Sequence, residues 1–179
     1  ESFNGEEILF PLTLDDDERI RFGESVFLGK SSIYISSLGI NNNRGAVFKF
    51  DQILGNDKGW YLSDTINPVI DLDDIHFGFR LAEHENDVYI TSFNDWKVHR
   101  FSSKNNKLVF RDLIENNSNN DSNPSHIRNI VSSGEFLVSD SYYDEKLFLQ
   151  NLTENNSTKI ISTHEPRESI REKVACTNG

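Results

Sequence analysis

A chain of 179 residues, 36% hydrophobic and 26% charged, is long enough for one domain with a real core, and its length gives no reason to expect two. The formal charge of -11, from 29 acidic against 18 basic residues, repels phosphate backbones and anionic headgroups, so nucleic acid is not an expected partner. No apolar stretch approaches the roughly 18 residues of a membrane span, and a single cysteine, Cys176, excludes an internal disulfide framework.

In chain order, short runs of β-branched and aromatic residues alternate with Gly, Asn, Asp and Ser clusters, which is the signal of strands and turns. Strands are expected at Glu7 to Phe10, Ser25 to Leu28, Ile33 to Ser36, Ala46 to Phe50 and Trp60 to Ser63. They continue at Phe79 to Glu83, Val88 to Ser92, Val98 to Phe101 and Lys107 to Arg111. The last four are Arg128 to Ser132, Glu135 to Ser139, Lys146 to Gln150 and Thr158 to Ser162. One helix is expected, in the tail from Pro166 to Val174, with Thr163 as a cap and Pro166 in the first turn. With no Met anywhere, position 1 included, the chain is expected to be a processed or excised piece.

The strands fall into a repeat. Residues 22 to 37 read FGESVFLGKSSIYISS and residues 77 to 92 read FGFRLAEHENDVYITS, a displacement of 55 positions between Phe22 and Phe77. A further displacement of 48 places Val88-Tyr89-Ile90-Thr91 on Phe136-Leu137-Val138-Ser139 and Arg80 on Arg128. Self-similarity at this period with four strands per unit predicts all-β blades of a β-propeller, at about 22–66, 77–115 and 126–163, within a repeat region 1–163 and before a polar tail 164–179. The Gly after each Phe is expected to bend the chain tightly against the neighbouring blade while the Phe ring fills the seam. Three blades and a partial one, from the leading strand at 7–10, do not close a ring of about four to eight, so further blades are expected from a longer parent, a partner chain or another copy; a sandwich or barrel of the thirteen strands is the alternative fold.

The first repeat, Arg21-Phe22-Gly23-Glu24-Ser25-Val26, then Ser32-Ile33-Tyr34-Ile35-Ser36-Ser37, then Arg44-Gly45-Ala46-Val47-Phe48-Lys49-Phe50, resembles the FG-GAP repeat of integrin alpha-like propellers. The acidic lead-ins Asp15-Asp16-Asp17-Glu18 and Asp71-Leu72-Asp73-Asp74 and the Trp60-Tyr61-Leu62 run are similar to that family too. Ser36-Ser37-Leu38 stands where the family has Gly-Ala-Pro. The resemblance implies a non-enzymatic extracellular or cell-surface recognition or adhesion module with protein or glycan partners. Calcium-binding members carry an Asp-x-Asp-x-Asp-Gly loop, whereas Gly29-Lys30-Ser31 and His84-Glu85-Asn86-Asp87 occupy that turn here, too few oxygen ligands for such a site. No metal and no cofactor is therefore expected.

The contact candidates lie in the loops between second and third strands, LGINNNR, FNDW and DSYYDE. They are Asn41, Arg44, Asn94, Asp95, Trp96, Asp140, Tyr142 and Tyr143, a mixture of aromatic, amide and charged groups suited to protein or glycan contact. Sequons occur at Asn116, Asn120, Asn151, Asn155 and Asn156, which suits a secreted glycoprotein. The five His residues have no paired metal-ligand spacing, and no nucleophile elbow, Walker loop or dinucleotide fingerprint is present. A structural subunit of a larger propeller assembly is the alternative expectation, and a hydrolase or lyase on a propeller scaffold the second.

Overall fold

The structure, a computed structural model, describes residues 21–53, 59–95, 97–114, 127–133, 135–141, 146–153 and 158–162. The strand expected at 7–10 and the tail helix lie outside these residues. Among the described residues, twelve strands form three four-stranded antiparallel sheets, each an up-and-down meander of consecutive strands. The first sheet contains β1 (Phe22–Leu28), β2 (Ser32–Ser37), β3 (Ala46–Gln52) and β4 (Trp60–Ile66). The second contains β5 (Phe77–His84), β6 (Asp87–Ser92), β7 (Val98–Lys104) and β8 (Lys107–Ile114). The third contains β9 (Ile127–Ser133), β10 (Phe136–Ser141), β11 (Lys146–Asn151) and β12 (Thr158–Ser162).

The Phe-Gly pairs turn out to be strand residues at a bulge. Phe22 pairs with Ser37 and the ladder then resumes at Val26 with Ile35, and Phe77 with Ser92 is likewise followed by Leu81 with Ile90. Gly78 takes φ +98, and a Cβ there would meet the Ser36 Cβ at 2.7 Å, so the pair lets β5 approach the first sheet closely. Inside the bulge a backbone N–H has no ladder partner, and a side chain eleven residues later supplies one. Ser25 N–H donates to Ser36 Oγ at 3.0 Å, Arg80 N–H to Thr91 Oγ1 at 2.9 Å and Asn129 N–H to Asp140 Oδ1 at 2.6 Å.

This lock corrects the alignment of the third repeat. Arg80 corresponds to Asn129 and Thr91 to Asp140, a displacement of 49 positions, and the pair Leu81 with Ile90 corresponds to Ile130 with Ser139. The displacement of 48 expected from the apolar residues is one short. Because side chains alternate along a strand, the slip exchanges the two faces: Leu137 and Ser139 are buried and Val138 is only partly so.

The alternation builds two seams from the middle sheet. Val88 and Ile90 join Phe77, Leu81 and Phe101 against Tyr34, Val47 and Ile66 of the first sheet, while Tyr89 joins Ala82, Val98 and Ile114 against Ile127, Ile130 and Leu137 of the third. Phe77 is fully buried, edge-on to the His99 ring at 5.1 Å and to Phe101 at 6.0 Å, a burial that stabilises by about 2–3 kcal/mol. β1 touches β5 and β5 touches β9, so the first strands of successive sheets adjoin. On its other face the first sheet clusters Ile35, Phe48 and Phe50 with Phe22, Trp60 and Leu62, and leaves Val26 and Leu28 62% and 71% exposed.

The loop between β2 and β3 contains one short turn, α1 (Ile40–Asn43), where irregular chain was expected. Asn41, Asn42 and Asn43 have φ of 52, 56 and 59°, the left-handed region that asparagine tolerates better than other non-glycine residues. Buried Ile40 anchors this turn in the first sheet.

Candidate functional site

At the loop end, the expected contact residues among those described bind their own chain. Asn41 is exposed and its carbonyl accepts from Arg44 N–H, closing the left-handed turn. Arg44 Nη1 pairs with Asp71 at 2.9 Å, Nη2 donates to the Ile70 carbonyl at 3.3 Å, and the Arg44 carbonyl accepts from Phe77 N–H at 2.9 Å. Asn43 donates to Asp74 at 2.8 Å, and the Asn94 amide donates to the Asp74 carbonyl. Arg44 and Asn94, from two different sheets, thus converge on the acidic segment 70–77 that leads into β5, and the second acidic cluster serves as a strap.

Asp95, on the β6–β7 loop, turns its side chain inward against His99 and Ser92. Its Oδ2 lies 2.9 Å from His99 Nε2, and Ser92 Oγ lies 2.9 Å from that same nitrogen. A nucleophilic relay uses opposite imidazole nitrogens for serine and carboxylate; here His99 Nδ1 has no hydrogen-bond partner among the described residues. The cluster ties the β6–β7 loop to β7. Asp140 is not brought to these residues: it closes the bulge lock of the third sheet and also accepts from Asn129 Nδ2 at 2.9 Å. Trp96, Tyr142 and Tyr143 lie outside the described residues, as do Asn116, Asn120, Asn155 and Asn156. The Asn151 side chain accepts from both Thr153 N–H and Thr153 Oγ1 at 2.9 Å, within its own sequon.

The opposite, turn end holds a cleft of about 330 Å³ between the first and second sheets. β3 sends Val47, Lys49 and Asp51 to one face, the face toward the second sheet, and Phe48 and Phe50 to the other. Lys49 is buried, with Nζ donating to Asp51 Oδ2 at 2.9 Å and to the Asn106 carbonyl of the second sheet at 3.3 Å. Asp51 also accepts from Ser32 Oγ at 2.5 Å. Glu83 Oε2 accepts from Lys30 N–H at 2.9 Å, and Asp64 Oδ2 accepts from Leu108 N–H at 2.8 Å, so carboxylates join the two sheets on both sides of the cleft.

Electrostatics follow from these partners. Partial burial alone would raise the Asp51 carboxyl, but hydrogen bonds from Lys49, Ser32 and Ser63 and the Lys49 charge hold it below its ordinary value. Burial, followed by the Glu83 and Asp51 carboxylates, pushes the Tyr34 phenol well above its ordinary range against a hydrogen bond with Ser32. The cleft floor is therefore an internally neutralised Lys–Asp pair beside a neutral phenol.

The middle sheet repeats this arrangement with the partners exchanged. Arg100 stands where Lys49 stands, Asp87 where Ser32 stands and Ser102 where Asp51 stands, by the pairs Tyr34 with Lys49 and Tyr89 with Arg100. Arg100 Nε donates to Asp87 at 2.6 Å, and Ser102 Oγ donates to the same carboxylate. The third sheet has Leu149 at this position, opposite Val138. The alternation Val47-Lys49-Asp51 in an otherwise aromatic strand was the available sequence signal for the cleft, and a motif scan passes over it.

Comparison with protein-family models and with curated proteins finds no match to this chain.

Proposed function

We propose that the three sheets are consecutive blades of a β-propeller of FG-GAP-like type, acting outside the cell as a non-enzymatic recognition module. The observation that carries the recognition reading is the polar cleft at the turn end, concave and lined from both sheets around the Lys49–Asp51 pair. The bulge lock repeated in all three sheets, the adjoining first strands and the Phe-Gly sequence pairs support the propeller. The loop end, with Arg44 and Asn94 engaged internally, leaves less free hydrogen-bonding capacity for a partner.

A panel of glycans, amines and peptides tested by thermal midpoint examines this reading. Ligands of the cleft raise the midpoint of the wild type, since a ligand at about 100 times its Kd adds about 2.7 kcal/mol. They lose that effect in Tyr61→Ala, at the half-exposed ring on the cleft wall, keep it in Asn94→Ala, and are recovered chemically unchanged. Turnover of a stabilising ligand, or loss of the effect in Asn94→Ala alone, contradicts the reading.

A structural subunit is the second reading, favoured by the outward face of the third sheet. Val131, Val138, Leu147 and Leu149 occupy the positions of Ala82, Tyr89, Val98 and Arg100, which in the middle sheet face its neighbour. All four are apolar and partly exposed. Sedimentation distinguishes the two: this second reading requires association of the chain with itself or with a chain that supplies further blades, and a monomer that is stable over a wide concentration range contradicts it.

A further inference from the structure

We infer that the cleft between the first and second sheets binds a neutral, hydroxyl-rich ligand, one or two units of an uncharged saccharide. The inference rests on the recognition reading above and names its ligand class. The cleft, at about 330 Å³, lies at the lower end of the range for small-molecule sites, about 300–1,000 Å³. Most such sites are largely apolar, whereas this one is walled by charged, amide and hydroxyl groups, so an apolar ligand would strip water from them without replacing their hydrogen bonds.

Charge narrows the class further. Lys49 and Asp51 satisfy each other at 2.9 Å, so the floor offers dipoles and no net charge. Glu83 and Glu85 on the second-sheet wall repel anions. A cationic ligand would meet those carboxylates, but Glu83 already accepts from Lys30 N–H and the Lys30 ammonium group lines the same cleft. A neutral ligand escapes both penalties.

The lining also fits hydroxyl donors. A carboxylate accepts only, through two oxygens that suit two adjacent hydroxyls, and charge-assisted bonds of this kind are the stronger ones. Glu85 is exposed on the β5–β6 turn, placed to accept. Tyr34, held as a neutral phenol, can both donate and accept. Tyr61 supplies the remaining requirement: its ring, 48% exposed, is a flat apolar surface for the C–H face of a pyranose.

The test is titration of the full chain with methyl glycosides of neutral hexoses and N-acetylhexosamines, their disaccharides, and, separately, lysine amide, read by calorimetry and saturation-transfer NMR. At least one neutral glycoside binds, Tyr61→Ala and Glu85→Gln each weaken it about tenfold or more, and Asn94→Ala leaves it unchanged. Tyr61 and Glu85 are exposed, and the midpoint of each variant verifies that it folds. Binding of lysine amide at the cleft without any glycoside overturns the saccharide assignment and leaves the recognition reading standing. Glycoside binding that survives both cleft substitutions overturns the assignment by placing the site elsewhere. If no probe of either kind, nor any member of the wider panel, binds the cleft, both fall together.

Discussion

Lys49 is the residue on which the turn end depends. Its side chain is 7% exposed and has a carboxylate partner two residues along the same strand. Removing that partner in Asp51→Ala leaves a buried ammonium unpaired and destabilises by about 3 kcal/mol or more, whereas Lys49→Met fills the same space without a charge and costs less. Denaturant unfolding checks the order of the two. The pair also sets an acid response. The Asp51 carboxyl is held below its unfolded value, so the unfolded chain takes up the proton first as pH falls. The contribution is complete above the ordinary carboxylate value and disappears as pH drops through the lower folded value. A stability profile of Lys49→Met is therefore flatter than wild type over this acidic window and parallel to it near neutrality. At this scale the sequence was a poor guide: Arg44 and Asn94 read as exposed polar loop residues, and nothing local indicates that segment 70–77 would engage them.

Among the elements, the seams follow from the bulge. Gly78→Ala places a Cβ against Ser36 and Val47 at a φ that L-residues avoid, and destabilises by about 2–3 kcal/mol. Gly23→Ala carries the same backbone strain at φ +85 but meets nothing within 4 Å among the described residues, so it costs about 1 kcal/mol. Equal losses for the two would contradict the close approach of β5 to the first sheet. The third sheet gives a parallel contrast in thermal midpoint: Leu137→Asn lowers it sharply because Leu137 is buried in the second seam, and Val138→Asn lowers it little. The reverse order would restore the displacement of 48. Strand existence was legible because β-branched and aromatic runs are separated by turn residues throughout. Register in the third repeat was not, since Phe136-Leu137-Val138-Ser139 and Leu137-Val138-Ser139-Asp140 are equally acceptable strands. The deciding group, the lock acceptor, changes from Ser36 to Thr91 to Asp140 and so carries no constant letter.

For the whole molecule, the central proposal is that stacking the first sheet on the second creates a recognition site. The Val47-Lys49-Asp51 alternation marks only the floor of that cleft, because its walls come from the β1–β2 and β5–β6 turns, the ends of β3 and β4, and the β7–β8 turn. Only the tertiary contact brings Lys49 to the Asn106 carbonyl. Amide chemical-shift mapping of the full chain, titrated with the ligand that most raises its midpoint, tests the claim most directly. The account predicts shifts concentrated at Ser31, Asp51, Asn86 and Asn106, with Asn41 and Asn94 unmoved. Shifts confined to Asn41, Arg44 and Asn94 would contradict it and return recognition to the loop end.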